Sequence, residues 1–145
     1  MLALIQRVSQ ASVTIDNEIN GQIGPGILLL LGVQKGDDRA SADKLLKKVL
    51  AYRIFGDEDD KMNLSLSQTG GGLLVISQFT LAADTRKGLR PSFSSAAPPA
   101  LGEELYDYFV EQARQCHPQV ETGRFGADMK VALLNDGPVT FMLES

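Results

Sequence analysis

Two short polar stretches, each beside an apolar strand-like run, hold the residues of this chain that could do chemistry. The first is Ser-Gln-Phe-Thr at residues 77–80, which closes an apolar run that follows three glycines. Uncharged hydrogen-bonding side chains at the end of a buried strand need partners, and the mouth of a binding site supplies them. The second is Asn-Asp-Gly-Pro-Val-Thr at residues 135–140, where polar groups adjoin another apolar strand. We expect the two stretches to face one another and to enclose the site.

The residue types in these stretches favour a site built mainly from main-chain groups. Backbone N–H groups near Phe79 and Thr80 could hold an oxyanion, the charge that develops during acyl transfer. Neither stretch contains an obvious general base. An enzyme of this kind would take its base from water or from the substrate itself. The alternatives are an edge exposed to water for residues 77–80 and a simple turn for Gly137 and Pro138.

Serine-type nucleophilic catalysis is disfavoured, because it needs a hydroxyl, a base and a group that orients the base. The chain has one histidine, His117, and it precedes Pro118 at a predicted helix end, where capping or simple exposure is the favoured role. No Gly-x-Ser-x-Gly elbow surrounds Ser77. A thiol enzyme that uses Cys116 is a weak alternative, because a structural cysteine is more typical of the end of an amphipathic helix.

The sequence also gives little support for a metal site or a phosphate-binding loop. Cys116 and His117 are adjacent in sequence and cannot close a tetrahedral metal shell. The acidic run at residues 57–60 lacks the ligand alternation of a calcium loop and is typical of a solvated turn. The glycines at residues 70–72 precede a strand, so they offer a phosphate no helix N-terminus. We therefore expect neither a metal nor a cofactor.

One cluster of cations lies where it could meet phosphates. Arg86, Lys87 and Arg90 fall in a long connection, residues 82–99, that leaves the first polar stretch. Contact with nucleic acid and plain solvation both remain open for these three, whereas a solvated helix face is favoured for the lysines within residues 44–48. The net charge of −4 disfavours a long nucleic-acid footprint, because proteins that bind long stretches usually carry a net positive charge. A strand end or an acceptor stem is the kind of nucleic acid that fits.

Hydrophobic periodicity predicts the elements that must position these residues. Helical spacing marks residues 41–52 and 101–116, a loop covers 82–99, and residues 120–126 are turn-rich. The order strands, helix, strands, helix, strands implies an α+β fold in which a mixed, curled, barrel-like sheet carries two helices on one side. The predicted strands are residues 2–15, 19–23, 27–33, 53–55, 62–66, 70–81, 129–134 and 139–143.

Length and composition place the chain among ordinary globular proteins. Its 145 residues, 43% hydrophobic and 22% charged, suit a single domain over residues 1–145. No apolar run approaches the roughly 20 residues of a membrane span. The N-terminal residues read as a strand rather than an export signal, and a single cysteine cannot form an internal disulfide. We therefore expect a cytoplasmic location.

Both polar stretches resemble the hallmark motifs of the D-aminoacyl-tRNA deacylases. Other segments also resemble that family, and the resemblance runs from end to end at the family's usual length: residues 5–8, 87–93, 122–126 and 143–145. The resemblance implies a homodimeric enzyme that hydrolyses the ester joining a D-amino acid to the acceptor end of tRNA, or glycine mischarged on tRNA-Ala. It would reject L-amino acids sterically and so act in chiral proofreading.

The resemblance also assigns roles to individual residues. The Gly137–Pro138 peptide would be cis and would reach into the pocket of the partner subunit, where its carbonyls hold the substrate's amino group. The ribose 2′-hydroxyl would help to activate water. The opposite, catalytic wall would be formed by Ser77, Gln78, Phe79 and Thr80. The substrate-binding residues would be Gly137, Pro138, Val139, Thr140, Met129, which lines the pocket, and Arg7, which sets the Gly-Pro orientation.

A different class of function is kept as the alternative. A non-catalytic dimeric module that binds tRNA ends or a small amino-acid-like ligand would need the same pocket and the same cations. The sequence does not separate binding from hydrolysis.

Overall fold

The structure, a computed structural model, describes all residues from Met1 to Ser145. Its strands are β1 (Leu2–Ile15), β2 (Glu18–Ile23), β3 (Gly26–Gly32), β4 (Phe55–Gly56), β5 (Met62–Leu64), β6 (Gly72–Ser77), β7 (Val120–Thr122) and β8 (Lys130–Glu144). Its helices are α1 (Arg39–Ala51), α2 (Leu66–Thr69) and α3 (Pro99–Cys116), with a 3₁₀ turn at Phe79–Ala82.

Strand β1 organises the sheet because three strands pair with it. Its N-terminal half pairs with β3 and its C-terminal half with β2, both antiparallel. On its other side β8 runs antiparallel along almost its whole length. The main sheet has the order β2-β1-β3-β6-β7, in which the pairs β3–β6 and β6–β7 are parallel. The sheet is therefore mixed, as the sequence predicts.

The sheet curls until its ends nearly meet. The Asn20 side chain on β2 donates a hydrogen bond of 2.7 Å to the carbonyl of Thr122 on β7. These two strands lie at opposite ends of the strand order, so this bond links the two edges of an almost closed barrel. The predicted α+β architecture with a curled, barrel-like sheet is confirmed.

Alternating residues of the central strands serve two apolar cores. Ile27, Leu29 and Leu31 of β3 face the larger core, which contains the apolar faces of α1 and α3. Leu28 of β3 and Leu74 of β6 face the smaller core inside the curl. Because both faces are covered, β3 and β6 read as continuous apolar runs. The two long helices lie on one side of the sheet, as predicted.

The long helices begin where local chemistry favours a start. Asp38 caps α1 by accepting a 2.9 Å hydrogen bond from the N–H of Ser41, and the Ser41 hydroxyl completes the capping box. Pro99 opens α3, where its missing N–H costs nothing. No helix has the combination of length and apolar character that crossing a bilayer requires.

Four local predictions were wrong in detail. Residues 62–66 are not one strand, because Ser65 caps the one-turn helix α2 and only β5 pairs, with β4, in a separate two-stranded sheet. The first polar stretch leaves its strand at Ser77 and turns into the 3₁₀ turn. The turn-rich segment contains β7, which pairs with β6. The last two predicted strands form one strand, β8, since both halves pair with β1.

Two glycines allow β3 and β6 to start side by side. Gly26 and Gly72 are register partners, and a Cβ atom on Gly26 would overlap the Gly72 carbonyl. Neither strand can move away, because each is paired on its other side as well. The close approach of these backbones therefore requires glycine at residue 26.

We expect Gly26→Ala to lower the free energy of unfolding by about 1–3 kcal/mol, the usual cost of overpacking. Gly24→Ala is the matched control, because no atom lies within 4 Å of a Cβ built there. Urea denaturation of both variants measures the difference. Equal stability of the two variants would show that the sheet relaxes around residue 26.

Candidate active site

The first polar stretch lies at the C-terminal end of β6, where the chain leaves the sheet. Ser77 is the last residue of the strand and pairs in register with Leu31 of β3. The N–H of Gln78 donates a 2.7 Å hydrogen bond to the Leu31 carbonyl, which holds the strand end against β3. Phe79 and Thr80 then begin the 3₁₀ turn. These residues are therefore placed by a buried strand, as a rigid site requires.

A pocket of about 460 Å³ opens beside this strand end. It lies between the end of β6, the first turns of α3 and the segment that leads into β8. Ser77, Gln78 and Phe79 line it, and so does Met129, whereas Thr80 does not. The remaining lining is mostly apolar: Leu31, Val33, Ile76, Ala97, Pro99, Gly102, Tyr106, Phe125, Gly126, Ala127, Asp128 and Val131. Two further clefts contain no residue of either polar stretch, and one of them shares Tyr106 and Phe125 with this pocket.

Two main-chain N–H groups at the strand end, those of Phe79 and Thr80, have no partner within the 3₁₀ turn and no side-chain acceptor. The turn forms its first bond from Leu81 to the Gln78 carbonyl, at 3.2 Å. The Gln78 side-chain amide donates to the Thr80 hydroxyl. That bond occupies Thr80 and ties the two side chains together. The free N–H pair is the feature here that could stabilise a negative oxygen.

The pocket contains no group suited to act as a general base. The Tyr106 hydroxyl donates a 3.0 Å hydrogen bond to the Val75 carbonyl, and its burial raises its pKa to about 12. Asp128 lies at the exposed rim, where the Lys130 ammonium contacts both carboxylate oxygens at 3.1 Å. The remaining lining residues do not titrate. The lining therefore contains no histidine and no carboxylate other than Asp128.

The histidine and the cysteine lie away from this pocket. His117 caps α3 and its Nε2 lies 2.6 Å from the Gly71 carbonyl, just before β6 begins. Ser77 ends the same strand, roughly 20 Å away at about 3.3 Å per residue. His117 is buried, so the expectation of capping is confirmed and that of simple exposure is wrong. Cys116 is exposed beside it. A serine triad is excluded by this separation.

No group of three or more His, Cys, Asp or Glu side chains in the structure is arranged to hold a metal ion.

The second polar stretch forms a bulge in β8. Thr140 pairs with Gln6 of β1, but the next pair toward the other end joins Asn135 to Val8, so residues 136–139 leave the ladder. The Gly137–Pro138 peptide is cis, and Gly137 has a φ of +148°. Gly137 and Pro138 are exposed, whereas Val139 is buried in the larger core. The bulge therefore presents its Gly-Pro tip outward from the chain.

Arg7 and Asn135 hold this bulge in place. The Arg7 Nε donates to the Asp136 carbonyl and its Nη1 to the Ile54 carbonyl, both at 2.8 Å. The Asn135 Oδ1 accepts from the N–H of Val139 at 2.7 Å, and its Nδ2 donates to the Thr140 hydroxyl at 2.9 Å. The direction of the Gly137 and Pro138 carbonyls is thus set by bonds on both sides of the tip.

The two polar stretches do not meet within one chain, so the expectation that they face one another is wrong for a single copy. Ser77 of β6 pairs with Leu31 of β3, and Leu31 pairs with Ala3 of β1. Ala3 pairs in turn with Leu143 of β8, so β6 and β8 are three strand positions apart. At about 4.8 Å per position that is about 14 Å, and the bulge lies further along β8. The Gly-Pro tip is absent from the pocket lining.

The outer edge of β8 is unpaired, and several of its apolar side chains are exposed. Strand β8 pairs only with β1. A long edge strand with exposed apolar residues is a surface that proteins usually cover. The exposed apolar residues of β8 are Leu133, Leu134, Phe141 and Met142.

The three cations of the long connection differ in their surroundings. Arg86 is held by Asp84, with the Nε and Nη2 donating to its two carboxylate oxygens at 2.9 and 2.7 Å. This pairing keeps the pKa of Asp84 well below its usual range. Lys87 and Arg90 are exposed and form no ion pair. Of the three, only these two have their charge free.

Sequence reasoning gave no individual role to three residues beside the two polar stretches. The Ile54 carbonyl anchors Arg7, Asn135 closes the bulge, and Phe93, which does not line the pocket, packs on Phe79 with ring centroids 5.1 Å apart. A carbonyl carries no side-chain signal, so Ile54 could not have been found. The role of Asn135 could have been found, because Asn side chains in turns commonly bond to nearby backbone groups.

Comparison with known proteins gives a consistent result over the whole chain. The family model described as D-Tyr-tRNA(Tyr) deacylase matches residues 4–144. A D-aminoacyl-tRNA deacylase of Cellvibrio japonicus is 66% identical over 144 residues, which is 99% of either chain. One from Aeromonas hydrophila is 67% identical with the same coverage.

Two solved structures also superpose on this chain. One described as a c-Myc DNA unwinding element binding protein has a TM-score of 0.95 and 40% identity, and covers 100% of this chain and 99% of its own. A probable eukaryotic D-amino acid tRNA deacylase has a TM-score of 0.84, covering 99% of this chain and 98% of its own. At 17% identity it shows the fold alone.

Proposed function

The chain belongs to the D-Tyr-tRNA(Tyr) deacylase family, and from that premise we propose that it hydrolyses the ester bond of D-aminoacyl-tRNA, releasing free tRNA and the D-amino acid. The observation that carries the proposal is the identity of 60–67% to D-aminoacyl-tRNA deacylases over essentially the full chain. We take residues 1–145 as one domain of this kind, acting in the cytoplasm where charged tRNA is used.

We assign the catalytic wall to residues 77–80. The free N–H groups of Phe79 and Thr80 would bind the oxyanion of the tetrahedral intermediate, because they are fixed in position before the substrate arrives. Ser77 and Gln78 line the pocket beside them, and Phe79 forms part of its mouth. No side chain acts as nucleophile in this mechanism, since the lining holds no histidine and its one carboxylate, Asp128, is paired with Lys130 at the rim.

The other wall would come from the Gly137–Pro138 bulge of a second copy. Within one chain the bulge points outward and the pocket lacks it, so a dimer would complete both sites at once. The exposed apolar edge of β8, on the same strand as the bulge, supports pairing of two copies. The homodimer is thus part of the mechanism that we propose.

Selection for the D-enantiomer would rest on exclusion. The Gly137 and Pro138 carbonyls would accept hydrogen bonds from the substrate's amino group, and Arg7 keeps them oriented. Val139 and Thr140 anchor the bulge, and Met129 lines the pocket opposite. An L side chain would collide with this wall, which is a repulsive device rather than a better contact for D. Glycine mischarged on tRNA-Ala would pass because it has no side chain.

Water would be activated by the substrate rather than by the protein. Tyr106 is neutral and already hydrogen-bonded, and Asp128 is paired with Lys130 at the rim. The ribose 2′-hydroxyl next to the ester is then the closest group able to orient the attacking water. This assignment follows from the absence of an available general base among the side chains of the pocket.

A non-catalytic module that binds nucleic-acid ends is the second candidate. The observation in its favour is the 40% identical structure whose description names DNA binding. The net charge of −4 does not favour a long duplex footprint for this chain. Binding without turnover would identify this alternative.

Matched D- and L-aminoacyl-tRNA, incubated with purified protein, test the proposed function. We expect release of the D-amino acid only, measured as loss of acid-precipitable label. Tight binding of either substrate without release would support the binding module instead, and equal release of both enantiomers would contradict the exclusion of L side chains.

We expect Ser77→Ala and Thr80→Ala each to keep activity within about tenfold of the wild type, because neither hydroxyl is the nucleophile and the oxyanion donors are backbone groups. Single-turnover rates on D-aminoacyl-tRNA measure this. A fall to background in both variants would mean that a side-chain hydroxyl performs the chemistry.

Gly137→Ala should reduce activity or D/L discrimination by more than about tenfold. Residue 137 has a φ of +148°, and a Cβ there would lie 2.5 Å from the Val139 Cγ2 and 3.2 Å from the Arg7 Nη2. Gly36→Ala is the matched control, since Gly36 also has a positive φ but has nothing within 4 Å. Wild-type rates and discrimination in Gly137→Ala would remove the bulge from the mechanism.

A further inference from the structure

An exposed pair of aromatic rings continues the pocket outward. Phe79 lines the pocket and is 59% exposed, and Phe93 packs against it while 42% exposed itself. Their ring planes are inclined by 50°. Rings this exposed add little to the apolar core, so core packing does not account for two phenylalanines at these positions. They form an exposed apolar surface of two inclined rings at the rim of the site.

The loop beside these rings is closed at its base. Asp84 and Ser92 exchange two backbone hydrogen bonds, at 2.7 and 3.1 Å, so residues 85–91 project as a loop between them. Phe93 directly follows this base. The Asp84 carboxylate also fixes the start of the loop by binding the N–H of Arg86 at 3.0 Å. The loop is therefore held in a set direction relative to the two rings.

Two cations on this loop have no counter-charge. Arg86 is neutralised by Asp84, but Lys87 and Arg90 are exposed and unpaired. The chain as a whole carries a net charge of −4, so a local excess of positive charge marks this loop as different. Aromatic faces next to unpaired cations are the usual surface for single-stranded nucleic acid.

We propose that Phe79, Phe93, Lys87 and Arg90 bind the unpaired 3′ end of the tRNA, with Phe93 stacking on a base upstream of the terminal nucleoside and the two cations contacting its phosphates. This inference rests on the proposed function, because it names how the same site receives its substrate. Arg86 is left out, since its guanidinium is occupied by Asp84. Single-stranded RNA fits better than a duplex because only two free charges are present and the rings need an unstacked base.

The test compares two substrates that share the ester. D-aminoacyl-tRNA carries the upstream nucleotides, whereas the D-aminoacyl ester of adenosine lacks them. The variants are Phe93→Leu, which keeps an apolar cover on Phe79, and the double variant Lys87→Ala/Arg90→Ala. The control is Lys44→Ala/Lys47→Ala, which removes the same charge from the exposed face of α1.

We expect Phe93→Leu to raise KM for the tRNA substrate at least about fivefold, the effect of losing one base–aromatic stack. The loop double variant should reduce the slope of log KM against log salt by about 1.4, because two phosphate contacts are lost. Turnover of the adenosine ester should stay at the wild-type level in every variant, which also shows that each protein is folded.

Three results would overturn the inference: an unchanged KM for the tRNA substrate, an equal loss on both substrates, or the same change in the α1 control. Sedimentation of Phe93→Leu adds a fourth, since dissociation of the protein into single chains would assign the rings to a chain–chain contact. Failure of the wild type to hydrolyse either ester would instead contradict the proposed function.

Discussion

The pairing of β8 with β1 is the constraint on which the rest of the site depends. The two strands run side by side for almost their whole length, yet four residues of β8 have no partners on β1. Because the ladder resumes on both sides of this segment with a shifted register, the extra residues must leave the sheet as a bulge. The bonds from Arg7 and Asn135 decide its direction. Strand β1 also pairs with β3, and β3 pairs with β6, whose end lines the pocket. The bulge and the pocket therefore belong to one continuous sheet.

A site made of main-chain groups has a particular physical advantage for this reaction. Backbone N–H and C=O groups are held by the fold and cannot change rotamer, so the oxyanion donors and amino-group acceptors that we propose would keep their spacing. Steric exclusion of a substrate side chain requires a rigid surface. Flexible protein side chains can move aside and are poorly suited to this. The cost is that the pocket lacks a base, and in our proposal the substrate's own hydroxyl fills that role.

Much of the fold was predictable because its signals are local or periodic. The continuous apolar runs of β3 and β6 predict strands covered on both faces, and the helical spacing of α1 and α3 predicts their buried faces. Helix α2 was missed because residues 62–66 alternate like a strand, although Ser65 and Gln68 form a capping box that sequence alone could have revealed. The separation of the two polar stretches was not predictable, because it depends on which strands pair with β1. The bond from Arg7 to the Ile54 carbonyl depends on the same tertiary arrangement.

The most direct measurement is complementation between two variants, one altered in the bulge and one in the pocket, each first shown to have lost activity on its own. Gly137→Ala damages the bulge, and Ala127→Trp fills the pocket with a bulky ring. If the bulge of one copy completes the pocket of another, mixed dimers contain one intact site, and mixing should restore activity to about a quarter of the wild type. If each chain carried its own complete site, every chain in the mixture would remain defective. Activity no higher than that of the separate variants, in a mixture shown to exchange subunits, would contradict the account.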